Sequence, residues 1–337
     1  MGQLYSIKEE TLRDIADSIR TVTDTTEEIL VEEFADKILE GGNGGGGGQE
    51  DELIARTLTG SYTNDRVTTI GRGAFQYCKS LTNISFPQCT TIGIEAFRTC
   101  NNLATVNFPQ CTTISASAFA GCNGLNELTS INFPKCTTIG SNAFGSCYNL
   151  TTANFPECKT IGVSAFQLNE VLTDAIFPQC TTISASAFNY CTVLTNISFP
   201  KCISIGVAAF IECWEITDAI FPQCTTISKD AFLNCNNLTN ISFPKCTTIG
   251  TSAFAFCYFT SASFPQCRTI GSDAFTYSEL ATIYLTGSSL CTLVNSNAFS
   301  GTGIWSDKGS IFVPASLVAA YKSATNWAFF SARIFGV

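Results

Sequence analysis

A block of 22 residues recurs along most of this chain, and few folds accommodate that. One copy, starting at Leu81, reads LTNISFPQCTTIGIEAFRTCNN. The dipeptide AF recurs with its phenylalanine at Phe75, Phe97, Phe119, Phe144, Phe166, Phe188, Phe210, Phe232, Phe254, Phe275 and Phe299, at spacings of 22, 22, 25, 22, 22, 22, 22, 22, 21 and 24. A fixed period in the twenties marks coils stacked in a solenoid, where each unit buries its apolar face only against its neighbours. Without the repeat, 337 residues would suggest two or three globular domains. A solenoid presents an extended surface rather than a pocket, so the pattern speaks more to architecture than to a ligand.

Within one coil, Leu81, Ile84 and Phe86 alternate as the inward side of a short strand, and Thr82, Asn83 and Ser85 face out. Pro87 ends the strand because it cannot donate to the ladder. Ala96, Phe97 and Cys100 in the other half of the coil predict a compact turn of helix on the convex side. Eleven such coils, stacked about 4.8 Å apart, extend about 50 Å.

The ends differ in kind. Residues 1–40 predict a helical module. Ser6 and Glu9 form a capping box, Leu12, Ile15, Ala16 and Ile19 follow at helical spacing, and a second amphipathic segment runs over 27–40. Residues 41–51 include GGNGGGGG and predict a flexible linker. The solenoid with its two caps is expected over 52–337. An atypical first coil closes one end, and a helix carrying Leu317, Tyr321 and Trp327 lies over the last coil, because open solenoid ends expose core and strand edges. The N-terminus, MGQLYSIKEETLRD, shows no apolar signal region.

The coil LxxIxFPxCxxI follows the leucine-rich repeat pattern LxxLxLxxN/CxL. Its recurring text, IGxxAFxxCxxLTxIxFP, resembles the BspA-like class of bacterial leucine-rich repeats over about residues 53–300. VPASLVAAYKSATNW is similar to the closing segment of that class. ETLRDIADSIR, with the later FADKI, is similar to helical segments of gut bacterial and prophage-type proteins. The expected fold is therefore an α/β leucine-rich-repeat solenoid of about eleven 22-residue coils with a short helical N-terminal module. The resemblance implies a bacterial surface or secreted protein used in adhesion and host contact.

The 18 cysteines fall into two registers. One holds Cys89, Cys111, Cys136, Cys158, Cys180, Cys202, Cys224, Cys246, Cys267 and Cys291; the other holds Cys78, Cys100, Cys122, Cys147, Cys191, Cys213, Cys235 and Cys257. Stacked Cα atoms come within disulfide range, but in-register Cβ atoms point in parallel. The second register skips a coil at Leu168 and stops before Tyr277. These features favour buried thiols packing in the core, with occasional disulfides left open. So many thiols suit a reducing or anaerobic setting.

The chain has no histidine, which removes Ser-His-Asp and Cys-His catalysis and most zinc sites. Glu95, Glu127, Glu157, Glu170, Asp174 and Glu212 look scattered, as on a solvated face. We therefore expect a non-enzymatic protein with no cofactor and no metal. Residues 1–56 hold 14 acids and 5 bases, while residues 57–337 hold 13 of each. With no basic stripe, nucleic-acid binding lacks its electrostatic footprint. No run approaches the ~20 apolar residues of a membrane span.

Two coils break the polar strand face. LTDAIFP at Leu172 and ITDAIFP at Ile216 place Ala175 and Ala219 inside and turn Ile176 and Ile220 outward, roughly 10 Å apart. Trp214 precedes the second strand, and Asp174 and Asp218 flank the pair. Exposed apolar residues beside an aromatic can mark a contact, so these five are the candidate partner site. The leading expectation is binding or adhesion to a protein or glycan ligand on a cell surface. Two alternatives stand: a structural part of a phage-like tail or surface assembly anchored by residues 1–40, and a carbohydrate-binding scaffold. The oligomeric state is open.

Overall fold

The computed structural model describes residues 60–122 and 130–337. The helical module at 1–40, the linker at 41–51 and Glu127 lie outside the described residues. The rest is a parallel β-solenoid whose coils each contribute two strands. The first is the strand read from the sequence, such as Asp174–Ile176 or Asn196–Ser198. The second is the dipeptide Thr-Ile, from Thr69–Ile70 to Thr292–Leu293, which the sequence reading left unassigned. Its eleven copies pair in parallel as one unbroken sheet, with Thr160 opposite Thr182 and Ile161 opposite Ile183. The longer strands are divided among four separate sheets. The continuous backbone of the solenoid is thus the two-residue strand, whose isoleucine is buried in each coil.

The expected turn of helix around each AF is absent from Phe75 to Phe275, where the segment is a turn; the last coil alone has a 3-10 helix, Ser296–Phe299. Two residues per coil take left-handed backbone angles, as at Ser186 (φ 56°) and Tyr190 (φ 59°) around Phe188, and Ala208 (φ 54°) and Glu212 (φ 60°) around Phe210. A right-handed helix cannot pass through such residues. They turn alternate N–H groups toward the next coil: Ser186 donates to Val207 O at 2.8 Å, Phe188 to Ala209 O at 2.8 Å and Tyr190 to Ile211 O at 3.0 Å. Backbone groups that a helix would pair internally are therefore paired between coils. At Gly206 neighbouring coils approach so closely that an added Cβ would lie 2.5 Å from the Ser184 carbonyl carbon.

Two phenylalanine columns fill the interior. Rings in one column stack, as Phe188 on Phe210 (5.3 Å, 3°) and Phe177 on Phe199 (5.4 Å, 6°). Rings between columns meet at their edges, as Phe188 and Phe199 do (5.8 Å, 65°). Both geometries are favoured by the ring quadrupole, at about 0.5–1.5 kcal/mol per pair beyond burial. Tyr62 closes the N-terminal end of the described columns against Phe75 and Phe86. At the other end Leu317, Tyr321 and Trp327 do not share one helix but fall on three successive short segments. Helix Val318–Ser323 and the 3-10 segment Trp327–Arg333 cover the last coil, with Tyr321 and Trp327 buried and Leu317 packed beside them. Tyr321 Oη accepts from Cys291 N–H (2.9 Å), Trp327 Nε1 donates to Cys291 O (2.7 Å), and Asn326 Nδ2 donates to Leu293 O (2.8 Å). These side chains satisfy the open edge of the eleven-stranded sheet.

All 18 cysteines are buried thiols. Cys180 and its column donate to a carbonyl of their own coil (Thr182 O, 3.3 Å). The second column reaches back one coil, as from Cys213 to Phe188 O at 3.1 Å and from Cys235 to Phe210 O at 3.1 Å. This overturns the sequence reading of the gaps in that column. The residue replacing cysteine in the skipped coil is Asn169, not Leu168; after Cys257, where the sequence offers serine or tyrosine, it is Ser278, and in the last coil it is Thr302. These three are the buried polar residues of the described chain, and each donates to a phenylalanine carbonyl. Asn169 Nδ2 reaches Phe144 O (2.9 Å) and Phe166 O (2.7 Å), Ser278 Oγ reaches Phe275 O (2.7 Å), and Thr302 Oγ1 reaches Phe299 O (2.6 Å). The position requires a small donor, and cysteine is its most frequent occupant.

Asn169 Oδ1 is buried with no donor facing it. Asn169→Cys should remove this orphan acceptor while keeping a donor for the Phe144 carbonyl, and so raise the urea midpoint. Asn169→Leu should lower stability by about 2 kcal/mol through two lost bonds. Equal midpoints for the two variants would refute the donor requirement.

Burial pushes the thiols up from an ordinary value of 9.0, to about 11 at Cys89 and about 12 at Cys180, Cys191 and Cys224. Above pH 9 the unfolded chain releases these protons while the folded chain retains them. The stability is therefore complete below pH 9 and is lost as pH rises toward 12, at about 1.4 kcal/mol per thiol per pH unit. Urea midpoints should be level from pH 7 to 8 and fall steeply from pH 9 to 10.5; a level profile throughout would contradict it.

Candidate functional site

The outward residue of the longer strand forms a column along one face of the solenoid. In chain order it reads Ser85, Asn107, Asn154, Ile176, Ser198, Ile220, Ser242, Ser263, Tyr284, Phe312 and Phe335. The corresponding column on the Thr-Ile sheet is threonine in every coil except at Ser204. Variation in chemistry is therefore concentrated on the longer-strand face.

The structure places Ile176 and Ile220 outward, 37% and 45% exposed, with Ser198 in the coil between them. Ala175 and Ala219 occupy the inner position and are fully buried, and the half-buried Ile197 packs between them. Small and large residues alternate inside, which accommodates the isoleucines moved outside. Trp214 is 42% exposed on the turn that leads into the second of these strands. Its Nε1 donates to Glu212 Oε2 (2.6 Å), and Glu212 Oε1 in turn accepts from Asn234 Nδ2 (2.6 Å). The indole is thus oriented by a hydrogen-bonded carboxylate.

Asp174 and Asp218 repeat one motif two coils apart. Each accepts from the preceding threonine hydroxyl, at 2.5 and 2.6 Å, and from the asparagine of the next coil, Asn196 at 2.8 Å and Asn240 at 2.7 Å. The Thr217 hydroxyl and then the Asn240 amide hold the Asp218 carboxyl below its usual range, since both donate to the charged form. All five sequence-derived residues therefore sit within three consecutive coils on one side. This patch straddles a division between sheets, because the strand Asn196–Ser198 ends one sheet and Asp218–Ile220 begins another.

The sequence reading missed a second apolar group on this face. Tyr284, Phe312 and Phe335 stand in register on neighbouring strands. Tyr284 stacks on Phe312 at 4.9 Å and 14°, and Phe312 meets Phe335 at 5.9 Å and 39°. The signal was in the text, as aromatics at the outward position of TIY, IFV and IFG, but 28 residues separate Tyr284 from Phe312 and the 22-residue period does not align them. Phe256 and Tyr277 form a further exposed stack on the turn side, 5.3 Å apart.

Among the described residues no group of three or more Cys, Asp or Glu is placed to hold a metal ion, and no helix is long and apolar enough to cross a membrane. The face offers contact area, hydrogen bonds and fixed negative charge. The thiols of the described residues are buried, out of reach as nucleophiles.

A comparison with curated proteins finds no match. Among solved structures, the chain is similar to a leucine rich cell surface protein of Faecalibacterium prausnitzii A2-165, at 24% identity over 81% of this chain and 82% of that one, with a TM-score of 0.44. It is also similar to a leucine-rich repeat protein of Bacteroides ovatus ATCC 8483, at 19% identity over 82% and 92% of the two chains, with a TM-score of 0.38. A third is a leucine rich repeat protein of T. pallidum, at 22% identity over 58% and 76%, with a TM-score of 0.32. The profile of the BspA type leucine rich repeat region matches residues 57–126, 123–237 and 203–317. With these overlapping matches running from 57 to 317, the chain belongs to the BspA-type leucine-rich repeat family.

Proposed function

We propose that this chain is a non-enzymatic binding or adhesion protein that meets a protein ligand through its longer-strand face. The observation that carries this is the outward column. It departs from small polar residues only at Ile176, Ile220 and the aromatic row Tyr284, Phe312 and Phe335, while the opposite sheet keeps one hydroxyl in each coil. Strand propensity and solubility account for the threonines, but give no reason to expose isoleucine and phenylalanine in register. Contact residues of that kind, at the centre of a polar surround, carry most of the energy at protein interfaces. Membership of the BspA-type family supports a place at the bacterial surface, where such a face is accessible to host or neighbouring cells.

The test compares attachment of the full chain to epithelial cells and to immobilised matrix proteins. Ile176→Ser with Ile220→Ser should weaken attachment about tenfold, equivalent to about 1.4 kcal/mol. Thr182→Asn with Thr226→Asn on the opposite sheet should leave it unchanged. Equal effects from both pairs, or none from the first, would overturn the assignment of the face.

A further inference from the structure

We infer that the Ile176–Trp214–Ile220 surface receives a cationic, apolar-containing segment of a partner protein. This rests on the strand-face reading above and adds the chemistry of the partner. The exposed isoleucines and indole provide the apolar contact. The partner's charge follows from what surrounds them.

The three coils present residues 168–176, 190–198 and 212–220 on this side. These stretches contain Glu170, Asp174, Glu212, Glu215 and Asp218, and no lysine or arginine. Residues 57–337 balance 13 acids with 13 bases, so five of the solenoid's acids are gathered where no base offsets them. The expectation of scattered acids on a solvated face fails here. The carboxylates are held in place as well: Asp174 and Asp218 by the hydroxyls and amides already described, and Glu215 by Asn237 Nδ2 at 2.9 Å. Their donors are neutral, so the negative charge is oriented without being neutralised. The nearby Lys201 is bonded to Gln179, away from these acids. An exposed indole edged by carboxylates suits a guanidinium or ammonium group, which gains from the ring face and the charge together.

The chain itself does not supply this segment. Residues 1–56 hold 14 acids against 5 bases and would be repelled, and a second copy's solenoid is electrically balanced. The occupant is therefore a basic stretch of another protein, with apolar residues to cover Ile176 and Ile220.

The experiment measures anisotropy of labelled eight-residue peptides with the full chain, at about 0.1 M salt, where the screening length is about 10 Å. The probes alternate arginine with leucine, arginine with serine, or glutamate with leucine. The arginine–leucine probe should bind at least tenfold tighter than either other probe. Asp174→Asn with Asp218→Asn, and separately Trp214→Ala, should each weaken it at least fivefold, while the Thr182→Asn, Thr226→Asn protein binds it normally. Binding should shift tryptophan emission in the parent chain and leave it unshifted in Trp214→Phe. Equal affinity for the arginine–leucine and glutamate–leucine probes overturns the inference, as does an affinity that ignores Trp214 and both aspartates. Loss of cell attachment on Ile176→Ser with Ile220→Ser, without binding of the cationic probe, overturns the partner chemistry alone. Unchanged attachment with intact probe binding overturns the adhesion role alone.

Discussion

Stacking between coils is the interaction on which everything else in this molecule depends. A single coil holds two phenylalanines, two or three aliphatic residues and a pair of thiols, too little to bury a core alone. Each ring gains its environment from the rings above and below, and alternate turn N–H groups find their acceptors in the next coil. The recurring spacing places each ring over its counterpart in the neighbouring coil. Where the spacing departs from 22, as between Phe119 and Phe144, the rings still stack at 5.2 Å.

The same demand accounts for the composition. Columns stacked so closely leave room for few interior polar atoms, and those present are small donors aimed at carbonyls. Cysteine suits this because it packs as an apolar residue while offering a weak donor. Burial raises thiols such as Cys180 and Cys213 above their ordinary range and keeps them uncharged, as the packed interior requires. An abundance of cysteine in this chain thus has a structural origin independent of cross-linking or metal binding.

Features governed by the repeat period were legible in the sequence: the solenoid, the inward Leu81, Ile84 and Phe86, the two thiol registers and the outward Ile176 and Ile220. The Tyr321 and Trp327 cap was legible from its loss of that period. What escaped depends on properties that spacing does not encode. Thr91–Ile92 is too short to show alternation, yet its copies form the continuous sheet. The turns around each AF depend on left-handed angles at residues as varied as Glu95, Thr99 and Leu168, and no residue type announces them. Asn169 does not stand out in the sequence because it shares neither size nor polarity with cysteine, only the capacity to donate a hydrogen bond. The acid cluster emerged only when coils 44 residues apart in sequence were placed two layers apart in space.

The unequal continuity of the two sheets has a mechanical consequence. The Thr-Ile sheet ties eleven coils together without interruption, while the longer-strand face is divided into panels. Bending about the continuous sheet breaks no ladder there and concentrates its displacement at the panel edges. One such edge runs beneath Ser198 and Ile220. The candidate contact surface therefore lies over one of the edges where a change of curvature breaks no ladder, while the spine keeps its register.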